Sequence, residues 1–318
     1  MADKPTRDGF GEGLLELGRT NPSVVALSGD LEDSARAIWF KKEFPDRFFS
    51  VGIAEQDMIG TAAGLALMGK IPFACSFSQF VTGKALEQMR LAVCYQRLPV
   101  KIVGSHGGLS VGADGATAES LEEFAILRSL PHMAVVVPCD ALEAKQAAIA
   151  AAAYSGPVFL RLGRSPAPII TKPEDPLTIG RANVLRDGGD VSLVACGIMV
   201  AHALAAAELL AKDGISARVI NLHTIKPIDR ATLLAAARDT GAIVTAEEHS
   251  VVGGLGSAVA EVLVQEHPVP MRFVGVMDRF GTSGDPAELL KAFGLMPEDI
   301  AKAAKDVLRL KSAVGSKL

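Results

Sequence analysis

Glu55 stands where a short apolar run, Phe48 to Val51, breaks into a helix rich in small residues, within Ile53-Ala-Glu-Gln-Asp-Met58. In an open parallel sheet, ligands sit outside the carboxyl ends of the strands, so a carboxylate at a strand-to-helix junction faces a ligand crevice. The first helical turn also favours negative charge, which makes a capping acid the alternative. Phe77 and Phe80 follow the next apolar run, three residues apart. On a helix they would share a face, and two such rings can sandwich a flat heteroaromatic ligand or fill the core. His106 lies in a glycine-rich loop, where a donor could serve an oxyanion or phosphate. Asp114, between Ala113 and Gly115, could cap a helix or hydrogen-bond a polyol. Arg7 and Arg164 could clamp an anion bidentately or pair on the surface. The remaining histidines, at 132, 202, 223, 249 and 267, read as structural or surface residues.

The elements that must position these groups alternate. Strands are expected at Val24 to Leu27, Phe48 to Val51, Ile71 to Cys75, Val100 to Val103, Met133 to Val137 and Val158 to Leu160. Helices between them are expected at Arg7 to Gly18, Ser34 to Glu43, Glu55 to Met68, Phe80 to Cys94, Glu119 to Arg128 and Ala141 to Ala153. That order predicts a largely parallel sheet covered by helices. The loop from Gly104 to Thr117 is glycine-rich, a backbone freedom often used to approach a ligand closely. A proline-punctuated stretch with Pro166, Pro168, Pro173 and Pro176 then reads as a linker. A second unit follows, with strands at Val191 to Ala195, Ala217 to Asn221, Ala242 to Ala246 and Arg272 to Val276. Its helices are expected at Met199 to Lys212, Arg230 to Asp239, Leu255 to Gln265 and Pro286 to Phe293. The expected fold class is α/β, two consecutive domains each built on a mostly parallel sheet flanked by helices: residues 1–165, a linker 166–190, and residues 191–318.

At 318 residues the chain can bury two cores. A formal net charge of -4, without blocks of like charge, argues against a nucleic-acid partner. No apolar stretch reaches membrane-spanning length and the start lacks a signal-peptide core, so the expected location is the cytoplasm, away from any membrane. The four cysteines are scattered without a C-x-x-C pair and are expected to be reduced core residues; no metal site is expected in this chain. No phosphate-loop, nucleophile-elbow or H-E-x-x-H signature is present. Gly253-Gly-Leu-Gly256 is a weak dinucleotide signal and more plausibly lets a helix start close to a neighbouring strand.

Taken in order, Ile53-Ala-Glu-Gln-Asp-Met58, Phe77-Ser-Gln-Phe80, Gly104-Ser-His-Gly-Gly with Asp114-Gly115, Arg128-Ser-Leu-Pro, Pro138-Cys-Asp140 and Leu162-Gly-Arg-Ser-Pro166 resemble the pyrimidine-binding domain of transketolase. Ile225-Lys-Pro-Ile-Asp-Arg230, Glu247-Glu-His, Gly253-Gly-Leu-Gly256 and Arg279-Phe-Gly-Thr-Ser-Gly284 continue the resemblance into its C-terminal domain. The resemblance implies that Glu55 hydrogen-bonds the aminopyrimidine ring of thiamine diphosphate and acts with His106 in catalysis, and that Phe77 and Phe80 hold the ring. It implies that Arg7, Ser34, His106 and Arg164 bind the phosphate end of a sugar and that Asp114 contacts a substrate hydroxyl. The family's diphosphate domain, with its divalent metal such as magnesium, is absent. The implied protein is therefore the C-terminal subunit of a split transketolase of the pentose phosphate kind, completed by an N-terminal subunit, as a heterotetramer made of two heterodimers. Two departures are visible. Ala118 replaces a polar substrate-contacting residue, which leaves the donor and acceptor sugars open, and Gly83 stands where some members place a third aromatic. The competing implications are the beta subunit of a 2-oxo acid dehydrogenase decarboxylase component and a catalytically silent scaffold of the same fold.

Overall fold

The structure, a computed structural model, describes residues 3–175 and 177–315. Pro176, one of the prolines of the expected linker, lies outside the described residues. The first unit runs β1 (Lys4–Pro5), α1 (Thr6–Thr20), β2 (Val24–Ser28), α2 (Ile38–Glu43), β3 (Phe48–Ser50), α3 (Glu55–Leu67), β4 (Ile71–Phe77), α4 (Ser78–Lys84), α5 (Leu86–Gln88), β5 (Lys101–Ser105), α6 (Glu123–Ser129), β6 (Ala134–Val136), α7 (Ala141–Ala153), β7 (Val158–Arg161) and β8 (Pro166–Ala167). The second runs β9 (Asn183–Arg186), β10 (Val191–Ala195), α8 (Met199–Lys212), β11 (Ala217–Asn221), β12 (Thr224–Lys226), α9 (Arg230–Thr240), β13 (Ile243–Ser250), α10 (Leu255–Glu266), β14 (Met271–Val276), α11 (Pro286–Ala292) and α12 (Pro297–Gly315).

Buried parallel strands carry no polar face, which is why β2, β5 and β10 are buried along their whole length. The larger sheet has the order β12-β6-β7-β5-β4-β2-β3, and the smaller β14-β13-β10-β11-β9. All pairings in the larger sheet are parallel except β12 with β6. From β2 the chain passes to β3 on one side and then to β4 on the other. The strand order therefore reverses between β2 and β4, where an open α/β sheet forms its ligand crevice.

Several differences from the sequence expectation have physical causes. β12 crosses from the second unit to the edge of the first sheet, tied there by Lys226 Nζ, which donates to the carbonyls of Arg128 at 2.9 Å and Leu130 at 2.5 Å. One core then spans both units, joining Phe124 and Val135 with Val194, Ile220 and Leu255. The stretch read as linker contains β9, an antiparallel edge strand on β11. The expected helix Ser34 to Glu43 is helical only from Ile38, because Arg36 takes a left-handed φ of 60° in the preceding turns. The expected helix Phe80 to Cys94 is broken into α4, α5 and a wide π turn at Met89–Cys94. The last helix, α12, packs Ile300, Ala304 and Val307 onto the second core and had no counterpart in the expectation. Among the described residues no helix is long and apolar enough to cross a membrane.

Candidate functional site

Glu55 is the first residue of α3 and only 2% exposed. It lies at the strand-order reversal: a Cβ placed on Gly29, which follows β2, would lie 3.7 Å from Ser76 Oγ and 3.9 Å from Glu55 Cγ. The carboxylate is paired with Lys84 at the end of α4, whose Nζ is 3.3 and 3.2 Å from its two oxygens. Ser76, one residue before the end of β4, is buried and its hydroxyl has no partner.

Phe77 ends β4 and Phe80 lies in the first turn of α4. Their rings stack on each other with centroids 5.4 Å apart, which leaves no space for a third ring between them. In place of the sandwich that the sequence allows there is a stack, with Lys84 Nζ over the Phe80 ring at 5.0 Å from its centroid. On the other side, the His106 ring stacks on Phe77 at 3.9 Å. The order Lys84, Phe80, Phe77, His106, Arg7 makes one continuous row from Glu55 to the arginines.

His106 follows β5 with a left-handed φ of 57° and is 3% exposed, far more covered than its glycine neighbours suggest. Burial, then the charges of Arg7, Arg164 and Arg36, push its pKa down to about 3, so the imidazole is neutral. Its Nδ1 is 3.0 Å from Ser105 Oγ and its Nε2 3.5 Å from a guanidinium nitrogen of Arg7. Arg7 also donates to the carbonyl of Ser34 at 3.1 Å, while its Nε is buried without a partner among the described residues. Burial first, and Arg36 next, lower the Arg7 pKa from its ordinary value. Arg164 donates to Asp114 at 2.9 Å and to the carbonyl of Val111 at 3.1 Å. Arg7 and Arg164 line one cleft of about 580 Å³ whose far wall is Gly284, Asp285 and Pro286 of the second unit. Sequence reasoning missed that wall and Lys84, since both depend on how distant segments meet. Ser34 contributes its carbonyl to Arg7, and Ala118, 5% exposed, is buried and does not line the cleft.

Two glycines of the glycine-rich loop have a packing role. Side chains on Gly107 and Gly108 would collide with the Arg161 guanidinium, and one on Gly108 also with Glu248. Arg161, at the end of β7, is held by Glu123 at 3.2 Å and Glu248 at 3.4 Å, all three buried. Likewise, Gly254 makes room for Glu247, whose carboxylate accepts the first amides of α10 from Leu255 at 2.6 Å and Gly256 at 2.9 Å. The glycines around Gly254 thus let a helix begin beside a strand, as the sequence suggested.

The donor set at Glu55 suits a flat ring bearing an N–H: one buried acceptor, one aromatic face, and a spare hydroxyl. The set around Arg7 suits an anion. Among the described residues no group of three His, Cys, Asp or Glu side chains could hold a metal ion.

Residues 3–168 match the family model described as "Transketolase, pyrimidine binding domain", and residues 180–300 match "Transketolase, C-terminal domain". The chain is 46% identical over 306 residues to the 6-deoxy-6-sulfo-D-fructose transketolase subunit SqwH of Clostridium sp. (strain MSTE9), covering 96% of this chain and 95% of that one. It is 40% identical to one of the subunits of the apulose-4-phosphate transketolase of Phocaeicola vulgatus, covering 95% of this chain and 97% of that one. A solved structure described as "Split gene transketolase, inactive beta4 tetramer" superposes with a TM-score of 0.91 at 48% identity, covering 96% of this chain and 99% of that one.

Proposed function

The chain belongs to the transketolase family, and from that premise we propose that it is the C-terminal subunit of a two-subunit cytoplasmic transketolase, moving a two-carbon ketol unit from a ketose phosphate to an aldose phosphate with thiamine diphosphate. One observation carries the reading: a single row of stacked side chains joins a buried carboxylate at a strand-order reversal to two arginines that line an open cleft.

The bound cofactor supplies stabilisation of negative charge on the donor's carbonyl carbon. The rest is this chain's work. Glu55 accepts, and shares, the proton on the ring nitrogen. The aromatic stack fixes the plane of the ring and keeps water from the carboxylate. Neutral His106 offers a hydrogen bond without adding charge. Arg7, with its bare Nε, and Arg164 hold the anionic end of the sugar, and Asp114 meets a hydroxyl. This anion set favours transketolase over the decarboxylase-component reading, which has no sugar phosphate to hold, and a buried carboxylate beside two phenylalanines at the strand-order reversal argues against a silent scaffold.

A partner chain would supply the diphosphate and metal half, in a dimer of heterodimers. Two observations support that part: the relatives compared are described as subunits or a split-gene product, and Ile53, Leu67 and Met68, before and along α3, are 75%, 63% and 81% exposed. The test is calorimetric titration of thiamine diphosphate with magnesium into the lone chain and into its mixture with the partner, beside an activity assay. The expected result is binding and ketol transfer by the mixture only. Robust binding and turnover by the lone chain would refute the split site.

A further inference from the structure

The contact that the proposed function leaves unused sits on Glu55 itself. Lys84 Nζ bridges both carboxylate oxygens at 3.3 and 3.2 Å and rests 5.0 Å from the Phe80 ring centroid. Those are the two surfaces that a ring bearing an N–H donor needs, and one ammonium covers both. Lys84 is half exposed at the end of α4, whereas Glu55 is anchored in the first turn of α3. The lysine can move and the carboxylate cannot.

We propose that Lys84 is a displaceable latch, neutralising Glu55 and covering Phe80 in the chain without its cofactor, and swinging to solvent when the pyrimidine ring takes its place. The inference rests on the thiamine diphosphate reading above. A buried carboxylate without a partner carries a heavy desolvation penalty, so a chain that folds before it meets its cofactor needs a cation there. That cation must also be easy to lose. Separations of 3.2 and 3.3 Å exceed the ~2.7–2.9 Å of strong charge-assisted bonds, and the outer end of the pair is already in water. Glu87, three residues on and exposed, is held only loosely by Arg90 at 3.9 Å, so the released ammonium has a carboxylate to move toward.

Two measurements test the latch. In the lone chain, the rate of Lys84 acylation by an amine-reactive acetyl ester, followed by mass spectrometry, should be several-fold slower in the wild type than in Glu55→Gln. Equal rates would mean that the pair does not form in solution and would overturn the proposal. In the complex with the partner chain, Lys84→Met and Lys84→Gln should tighten the dissociation constant of thiamine diphosphate by about two- to fivefold, the factor represented by a weak ion pair whose lysine end is half in water. Unchanged or weaker affinity, with normal binding by the wild type, removes the latch and leaves the function standing. No binding by the wild-type mixture removes the function and the latch's purpose together, even where slow acylation shows the pair to exist.

Discussion

Two clusters of buried charge lie at the carboxyl ends of strands of the larger sheet, one of them shared with β13 of the smaller sheet, and they are completed to different degrees. Around Arg161 the guanidinium reaches Glu123, Glu248 and the Glu248 carbonyl, and Glu248 also takes the amide of Ser110. Burial alone would lower the pKa of Arg161, but Glu248 and Glu123 outweigh it and raise it. His249 joins as a neutral ring, its pKa pushed down to about 3 mainly by burial, accepting the amide of Phe124 at 3.0 Å. Around Glu55 and Arg7 the pairing is incomplete. The carboxylate's partner is a half-exposed lysine, Arg7 Nε is bare, and the hydroxyls of Ser76, Ser78 and Thr82 are buried without partners. Every such unpaired group costs free energy in the chain as it stands. The first cluster joins the two domains; the second keeps unpaired polar groups, which is what the proposed function requires of a site that takes a ligand.

Glu55→Gln should separate the clusters most sharply. An amide fills the same volume but cannot share the proton, so turnover of the reconstituted complex should fall by roughly a hundredfold to ten-thousandfold. Melting and subunit assembly should be unchanged. Near-normal turnover would sink the assignment of Glu55.

Arg161→Met tests the other side. It strands two buried carboxylates, Glu123 and Glu248, and loss of one partner from a buried network costs about 3–5 kcal/mol. The melting temperature should drop by several degrees at the least, with folded, cofactor-free protein affected as much as the complex. A variant as stable as wild type would show that the network is dispensable.

Arg164→Ala is the milder counterpart. Its bond to Asp114 is solvent-exposed, and pairs of that kind contribute about 0–1 kcal/mol, so stability should barely move. Bonds from an arginine to a phosphate contribute roughly 1.5–3 kcal/mol, so the Michaelis constant for a phosphorylated donor should rise about tenfold or more. Arg7→Ala should act in the same direction. Equal losses with an unphosphorylated donor would class both arginines as structural.

What could be read in advance follows the range of the interactions. β2, β4 and β5 announce themselves as largely apolar runs, and Glu55 as an acid placed just after such a run, because these are signals of neighbouring residues. The pairing of Glu55 with Lys84 spans 29 positions and that of Arg161 with Glu248 spans 87, and no local pattern reports them. The same limit hid β12, whose three residues are strand only because β6 offers an edge. It also hid one reason for glycine at 107 and 108, a guanidinium packed on the backbone there. Ala118 shows a further limit. Its side chain is buried outside the cleft, so a histidine there must displace packed neighbours before it can meet a sugar, and the departure from the family pattern cannot be treated as an open contact.

Glu119 provides the finest test, because it lies in the loop between the two clusters and shares features of both. It is 3% exposed and packed against Gly281, where a Cβ would collide with its carboxylate, and neither carboxyl oxygen has a partner among the described residues. Burial, then Glu248 and Asp114, raise its pKa from an ordinary 4.5 to about 7. Between those values the folded chain keeps a proton that the unfolded chain has released, so this group's contribution to stability is full below about pH 4.5 and is lost as pH rises through about 7. Glu119→Gln has no proton to lose and should not share that slope. The melting temperature of the wild type, measured relative to the variant, should therefore fall by a few degrees between about pH 5 and pH 8. A gap that stays constant over that range would mean that Glu119 finds a donor or water in solution, which would place it with the completed cluster rather than with the incompletely paired one.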